Sequence, residues 1–126
     1  MKKFFSYWLP VLIWAIFIFS LSAIPNLKSG LEEDYILRKI AHVLEFMILT
    51  LLLFRAIKFS DVDFKKAIVY SFIIALFYAF SDEFHQFFVI GRQCSIKDVG
   101  IDSIGIFIAA GLCYIRNRKG RNRNLE

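Results

Sequence analysis

A short segment of the chain, YAFSDEFHQFFVIGR (residues 78–92), places two acids, a histidine and an amide inside an otherwise apolar run. Side chains of these types can move protons, bind a divalent metal or hold a charged ligand. An earlier segment, KIAHVLEF (39–46), adds a lysine, an acid and the other of the two histidines in the chain. The candidate residues in these segments are Lys39, His42, Glu45, Asp82, Glu83, His85 and Gln86.

The elements that must position these residues are too apolar for a small water-soluble domain. Hydrophobic residues make up 58% of the 126 residues, and the charged ones are clustered between four long apolar runs. A helix needs about 20 apolar residues to cross ~30 Å of hydrocarbon, and in lipid its backbone must be satisfied within the segment. The sequence therefore predicts an all-α integral membrane protein, a compact bundle of four transmembrane helices. A single domain, 1–126, would hold helices at about 4–24, 35–57, 66–90 and 99–115 and a basic tail at 116–126.

The first apolar run also has features of a signal peptide. Lys2 and Lys3 precede it, and Ser22 and Ala23 are small residues near its end. Its apolar stretch is longer than the usual 7–15 residues of such a region. We therefore interpret it as the first transmembrane helix, with cleavage as the alternative.

The distribution of lysine and arginine predicts the orientation. With four crossings both termini lie on one side, and most basic residues fall there. The positive-inside rule then places both termini in the cytoplasm, and the net charge of +5 needs no nucleic-acid partner. Eleven of the sixteen basic residues belong to this side: Lys2, Lys3, Arg55, Lys58, Lys65, Lys66, Arg116, Arg118, Lys119, Arg121 and Arg123.

This topology brings the polar residues of different helices to one level. At 1.5 Å per residue, those of the second helix lie roughly 5–15 Å below the outer surface, and those of the third roughly 6–12 Å. Asp102 lies about one turn into the fourth helix, and Arg92 and Asp98 belong to the adjacent outer loop. Because ionisable residues inside membranes usually face the bundle interior and pair with one another, we predict one outward-facing polar site. The alternative is a purely structural cluster that fixes the register of the helices.

The helical period predicts which side chains share a face. Arg38, His42 and Glu45 form one stripe on the second helix, with Lys39 beside it. Glu83 lies about 100° around the third helix from Asp82 and is expected to meet a different neighbour. A second stripe on the third helix contains Tyr78, Ser81, Asp82 and His85, with Gln86 beside it.

Small residues on the fourth helix favour close packing, either within the bundle or between subunits. The sequence leaves both arrangements open, so an oligomer is one of the alternatives. The residues concerned are Gly100, Gly105, Ala109, Ala110 and Gly111.

The two polar segments resemble the VanZ-like family of bacterial membrane proteins, the teicoplanin-resistance protein family. That family's pattern has Lys-x-x-His followed by Glu and an aromatic residue, then Asp-Glu-x-His-Gln and Gly-Arg. A short loop, Asp-Val, and an acid or amide before a glycine complete it. The resemblance covers nearly the whole chain. The matching positions are Lys39, His42, Glu45, Asp82, Glu83, His85, Gln86, Gly91, Arg92, Asp98, Asp102 and Gly105.

The resemblance implies a protein of the bacterial plasma membrane with a role in the cell envelope. The founding member is associated with resistance to teicoplanin, a lipoglycopeptide that acts on cell-wall precursors outside the membrane. It therefore implies a contribution to glycopeptide resistance, by acting on or binding a cell-wall or lipid-linked ligand. The expected partners are the lipid bilayer and a cell-wall precursor, a lipid or the glycopeptide itself.

The residues are compatible with three mechanisms. As an enzyme site, His42 or His85 would be the general base, oriented by Glu45 or Asp82. Lys39 and Arg92 would then hold a phosphate or carboxylate of a lipid or headgroup substrate.

In the second mechanism the site binds a divalent metal, and in the third the protein catalyses no reaction. His42, His85, Glu45 and Asp82 are ligand types that suit zinc, manganese or iron, which would give a metal-dependent membrane enzyme. In the third, a non-enzymatic protein would bind a ligand or an envelope partner through the polar pocket. The sequence does not decide whether the protein is an enzyme.

Overall fold

The computed structural model describes residues 1–24, 32–91 and 95–125, the side chains of 32–35 excepted. Within these ranges the chain forms four helices and no strand. Each helix is long and apolar enough to cross a membrane. The prediction of an all-α bundle of four transmembrane helices is confirmed. The helices are α1 (Lys2–Ser22), α2 (Glu32–Phe59), α3 (Phe64–Phe87) and α4 (Ile96–Arg123).

The fourth helix starts before its apolar run and ends after it. It begins at Ile96, rather than near residue 99, because the Ser95 side chain caps it by accepting the Lys97 N–H at 3.3 Å. It continues to Arg123 because lysine and arginine are good helix formers and cations stabilise the last turn of a helix. Most of the predicted basic tail is therefore helical.

The third helix is bounded by residues with turn-forming properties. Asp63 caps its start by accepting the Lys65 N–H at 3.2 Å. Asp61, in the short connection from α2, has a left-handed φ of 58°. The helix ends at Phe87, rather than near residue 90, and a turn leads to Gly91, whose φ is 81°.

Consecutive helices run antiparallel, so the bundle has two distinct ends. We call one the polar end, which holds residues 18–24, 36–45, 82–91 and 95–102. We call the other the basic end, which holds residues 1–7, 55–66 and 112–125. The candidate polar residues of α2, α3 and α4 all belong to the polar end.

Helix α2 organises the core. It packs most extensively against α4, and α1 contacts it more than it contacts α3. Phe46, Leu49 and Leu53 present one buried face of α2 to the other helices. Against it pack Ile18 of α1 and Ile106 of α4, both with 0% exposure. Burial of these apolar side chains fixes the rotation of α2, and so the direction in which its polar residues point.

Small residues allow the close packing of α3. Ala67, Ser71, Ala75 and Ala79 recur every fourth residue and are all buried, which lets neighbouring backbones approach. On α4, only some of the small residues that were predicted to allow close packing do so.

Gly105 and Ala109 of α4 are buried, whereas Gly100 and Gly111 are exposed and have no atom within 4 Å of a Cβ built on them. Gly105 and Ala109 therefore belong to the closely packed face of α4, whereas Gly100 and Gly111 lie outside it.

The outer surface of the bundle is apolar. Phe77, Phe84 and Phe107 are each more than 60% exposed. In a bilayer such side chains contact acyl chains, so the surface fits the multi-pass membrane location that the helices indicate.

Candidate functional site

The predicted site residues of α2 and α3 lie at one level. The rings of Phe46 and Tyr78 pack with their centroids 6.2 Å apart. Phe46 follows His42 by one helical turn, and Tyr78 precedes Asp82 by one turn. Because α2 and α3 are antiparallel, His42 and Asp82 both lie one turn from this ring pair toward the polar end. The predicted common level is therefore confirmed for these two residues.

His42 meets two acids where α2 packs on α4. Its Nδ1 lies 3.3 Å from Oδ1 of Asp102 and 3.8 Å from Oε2 of Glu45. The Asp102 side chain is 1% exposed and that of His42 is 19% exposed. Neither Nδ1 of His42 nor Oδ1 of Asp102 has an aligned hydrogen bond among the described residues. The two helices thus bury an acid–base pair whose contact atoms retain hydrogen-bonding capacity.

Gly105 permits this contact. It lies on α4 one turn from Asp102 toward the basic end, and it is buried. A Cβ on Gly105 would overlap the carbonyl oxygen of Val43 and would lie 3.0 Å from the backbone nitrogen of Met47. Because both obstacles are backbone atoms of α2, α2 and α4 can approach this closely only at a glycine.

An ion pair lies one turn nearer the polar end. The Lys39 ammonium contacts Oδ1 of Asp98, and the two side chains are 24% and 21% exposed. Asp98 was assigned to a loop by its sequence position, but it lies in the first turn of α4, where an acid stabilises the helix dipole. The Lys39–Asp98 pair therefore stands between the buried His42–Asp102 pair and the helix ends.

Asp82 belongs to a separate hydrogen-bond network. The Ser22 hydroxyl donates to Oδ1 of Asp82 at 2.5 Å, and the Gln86 amide donates to Oδ2 at 3.1 Å. The same amide lies 3.4 Å from the Ser22 oxygen, to which it also donates. All three side chains are buried. Both carboxylate oxygens have donors, so this network fits a structural link between α1 and α3.

Loss of the Ser22 hydroxyl is expected to destabilise the bundle. In Ser22→Ala the buried carboxylate of Asp82 loses one donor, at a cost of about 1–3 kcal/mol. Thermal unfolding of the purified protein in detergent measures the change. The matched control is Ser20→Ala, because the exposed Ser20 hydroxyl donates to the carbonyl of Ile16 in its own helix, at 2.8 Å. Equal melting temperatures for the two variants would contradict the network.

Glu83 contacts a different element from Asp82. Its side chain is 3% exposed, and its Oε1 accepts the backbone N–H of Ser95 at 2.6 Å. It therefore links α3 to the start of α4, where a negative charge favours the helix dipole. The predicted difference in facing between Asp82 and Glu83 is confirmed.

His85 and Ser81 do not join the other polar groups. The His85 ring stacks on Phe19 of α1 with centroids 4.1 Å apart, and its buried Nδ1 has no hydrogen-bond partner among the described residues. Ser81 is exposed and donates to the Phe77 carbonyl of its own helix at 2.9 Å. The predicted α3 stripe is therefore wrong at Ser81, which lies about 200° around the helix from the buried Ala79.

The structure separates the four residues predicted as metal ligands. His42 lies against Asp102 of α4 with Glu45 beside it, Asp82 is held in its own network, and His85 stacks on α1. Across residues 1–24, 36–91 and 95–125, no group of three or more His, Cys, Asp or Glu side chains could hold a metal ion. The metal hypothesis gains no support from this part of the chain. Arg92, predicted to hold a phosphate or carboxylate, lies outside the described residues.

Helix α1 contributes polar contacts that the sequence does not predict. Ser22 was noted only as a small residue, but it bonds Asp82. The Trp14 indole donates to the Glu45 carbonyl at 2.9 Å, and the Tyr78 hydroxyl donates to the Ala15 carbonyl at 2.5 Å. The sequence contained one sign of this role. Ser22 stands at the end of the first helix, at the same depth as the polar layer of the other helices.

Comparison with known proteins identifies the family of the chain. The sequence model of the VanZ/LLP1 family matches residues 3–117, which include most of each of the four helices and every candidate site residue. No curated protein and no solved structure matches the chain. The match agrees with the resemblance of the two polar segments. The chain belongs to the VanZ/LLP1 family.

Proposed function

We propose that the protein contributes to resistance against glycopeptide antibiotics of the teicoplanin type. It does so by binding or acting on a cell-wall or lipid-linked ligand at its polar end. The 3.3 Å contact between His42 and Asp102 carries the proposal. A buried acid–base pair is costly to desolvate, so this pair is expensive if its role is only packing.

The proposal includes an orientation in the bacterial plasma membrane. The basic end lies in the cytoplasm with both termini, and the polar end faces outward. Support comes from the positive-inside rule, since Arg55, Lys58 and the basic last turns of α4 all belong to the basic end. An outward-facing polar end lies on the side where glycopeptides and their cell-wall targets meet the membrane.

The functional part of the polar layer is the group between α2 and α4. It contains His42 and Asp102, with Glu45 beside them and the Lys39–Asp98 pair nearer the surface. The group around Asp82 instead holds the helices, because its carboxylate already accepts two hydrogen bonds. This division explains why the chain carries more polar groups than either role needs alone.

The Lys39–Asp98 pair gives the site a way to recognise anions. Both side chains are partly exposed, so a phosphate or carboxylate can compete with Asp98 for the ammonium. Cell-wall intermediates carried on lipids contain phosphates, and the peptides of the cell wall carry carboxylates. We therefore assign Lys39 to ligand binding and His42 to the deeper contact.

The same geometry favours general-base chemistry as the second candidate function. Asp102 faces Nδ1 of His42, which leaves Nε2 for a ligand. In this role Nε2 would take a proton from a water or a hydroxyl group, and the buried carboxylate would stabilise the resulting imidazolium. No other described pair combines an imidazole with a buried acid at this distance.

Expression of the protein in a susceptible host is expected to raise the minimal inhibitory concentration of teicoplanin, and Lys39→Gln to remove most of that increase. The reason is loss of the cation that recognises the ligand. The control is Lys97→Gln, because the exposed Lys97 lies near the same end and bonds Ser95 through its backbone N–H, which the substitution keeps. An unchanged inhibitory concentration on wild-type expression would refute the resistance role. Equal effects of both variants would refute the assignment of Lys39.

A further inference from the structure

A cavity lies at the basic end, away from the polar layer. It has a volume of about 1250 Å³ and opens between the last turns of α2 and α4, the first turn of α3, and Tyr7 of α1. Its size is at or above the ~300–1,000 Å³ of ordinary ligand sites. The proposed function makes no use of it.

The lining of this cavity changes from apolar to basic along the bundle axis. Leu51, Leu52 and Leu112 line the part nearer the middle of the bundle. The part nearer the chain termini has five basic side chains, and none of the described lining residues is acidic. An amphipathic anion would match both parts. The five basic side chains are Arg55, Lys58, Arg116, Arg121 and Arg123.

Helix α4 provides a continuous wall for the cavity. Leu112, Arg116 and Gly120 are each one turn apart and all line it. Arg116 and Arg123 are separated by roughly 10 Å along the helix. The wall therefore presents an apolar part followed by charged groups, in the same order as the acyl chain and the headgroup of a lipid.

Two aromatic rings hold one of the arginines in place. The Arg55 guanidinium lies 4.6 Å from the centroid of the Tyr7 ring, and Tyr7 in turn stacks on Phe59 at 4.1 Å. An arginine stacked in this way loses little further freedom on binding, and its planar group suits phosphate. The neighbouring Lys58 ammonium donates to the Val62 carbonyl at 3.1 Å, which keeps a second cation at the rim.

We propose that this cavity is a binding site for an anionic phospholipid, with the phosphate among the arginines and an acyl chain along the leucines. The charge of the lining and its apolar depth select a lipid over a soluble phosphate, which has nothing to place against Leu51, Leu52 and Leu112. Basic pockets between transmembrane helices are a known way to bind such headgroups. The proposal is independent of the role of the polar end.

Native mass spectrometry of the detergent-purified protein tests the proposal, with phosphatidylglycerol and phosphatidylcholine as probes. The wild type is expected to retain phosphatidylglycerol preferentially. Removing three lining cations, in Arg55→Gln/Arg116→Gln/Arg121→Gln, should weaken retention by about five-fold per residue. The control triple Lys66→Gln/Arg118→Gln/Lys119→Gln removes the same charge at the same end from residues that do not line the cavity, and it should retain the lipid.

A second pair of variants tests the cavity without changing charge. Gly120 lines it and Gly111 does not, and a Cβ on either meets nothing within 4 Å. Gly120→Phe should fill the groove and reduce retention of phosphatidylglycerol, whereas Gly111→Phe should not. Equal losses in the two charge triples, equal losses in the two glycine variants, or equal binding of phosphatidylcholine would each overturn the proposal.

Discussion

Replacing His42 by alanine is expected to return the teicoplanin susceptibility of expressing cells to that of cells without the protein. The substitution removes the imidazole that contacts Asp102 at 3.3 Å, so the proposed ligand binding and the proposed proton transfer at this position would both be lost. It also leaves the buried Asp102 carboxylate without the imidazole that faces it, so stability is expected to fall as well. The measurement is the minimal inhibitory concentration, with membrane abundance determined for each variant.

A matched control separates function from folding. Thr50 lies on α2 two turns from His42, is 1% exposed, and donates to the Phe46 carbonyl of its own helix at 2.7 Å. Thr50→Val therefore removes a buried polar group of α2 outside the polar layer, and it should keep resistance. Full resistance of His42→Ala at normal abundance would show that the α2–α4 pair is not the site.

Replacing Gly105 by alanine is expected to produce the largest loss of stability among single methyl additions in α4. The new Cβ would overlap the Val43 carbonyl oxygen, so α2 and α4 must separate. Overpacking of this kind costs about 1–3 kcal/mol, and these two helices form the largest contact in the bundle. The separation would also pull Asp102 away from His42, so resistance should fall together with the melting temperature in detergent.

The exposed glycines of the same helix provide the controls for Gly105→Ala. Gly100→Ala and Gly111→Ala add a methyl where nothing lies within 4 Å. In a helix interior such a change stabilises by up to about 1 kcal/mol. If Gly105→Ala melted at the same temperature as these two variants, the close approach of α2 and α4 would be refuted.

The architecture could be predicted from the sequence because its cause is local. Four apolar runs long enough to cross a bilayer, separated by charged segments, can satisfy their backbone hydrogen bonds in lipid as transmembrane helices, and the structure has four such helices in its described residues. The ends of the helices were harder to predict. Capping by Ser95 and the helical continuation to Arg123 depend on hydrogen bonding and propensity outside the apolar runs.

The common level of His42 and Asp82 followed from counting residues, because α2 and α3 are antiparallel and of similar length. Which residues meet at that level did not follow. His42 contacts Asp102 of α4, while Asp82 contacts Ser22 of α1, because the rotation of each helix is fixed by apolar packing elsewhere. Residue spacing locates side chains within one helix, and only the packing of helices decides their partners across the bundle.

Two small residues illustrate this limit. Gly105 was one of several small residues on α4, and only the structure shows that the backbone of Val43 lies against it. Ser22 had no partner in its own segment, and its role depends on the approach of α3. Both roles are properties of helix pairs, which explains why the sequence of a single helix contains little sign of them.

A double-mutant cycle on His42 and Asp102 tests most directly whether the two residues act as a functional unit. His42→Ala, Asp102→Asn and the double variant are compared for teicoplanin inhibitory concentration and for melting temperature. If the pair is a functional unit, each single variant loses the resistance, and the double variant is no worse than either. If the pair only holds helices together, resistance follows the melting temperature in all three variants, which would contradict the proposed site.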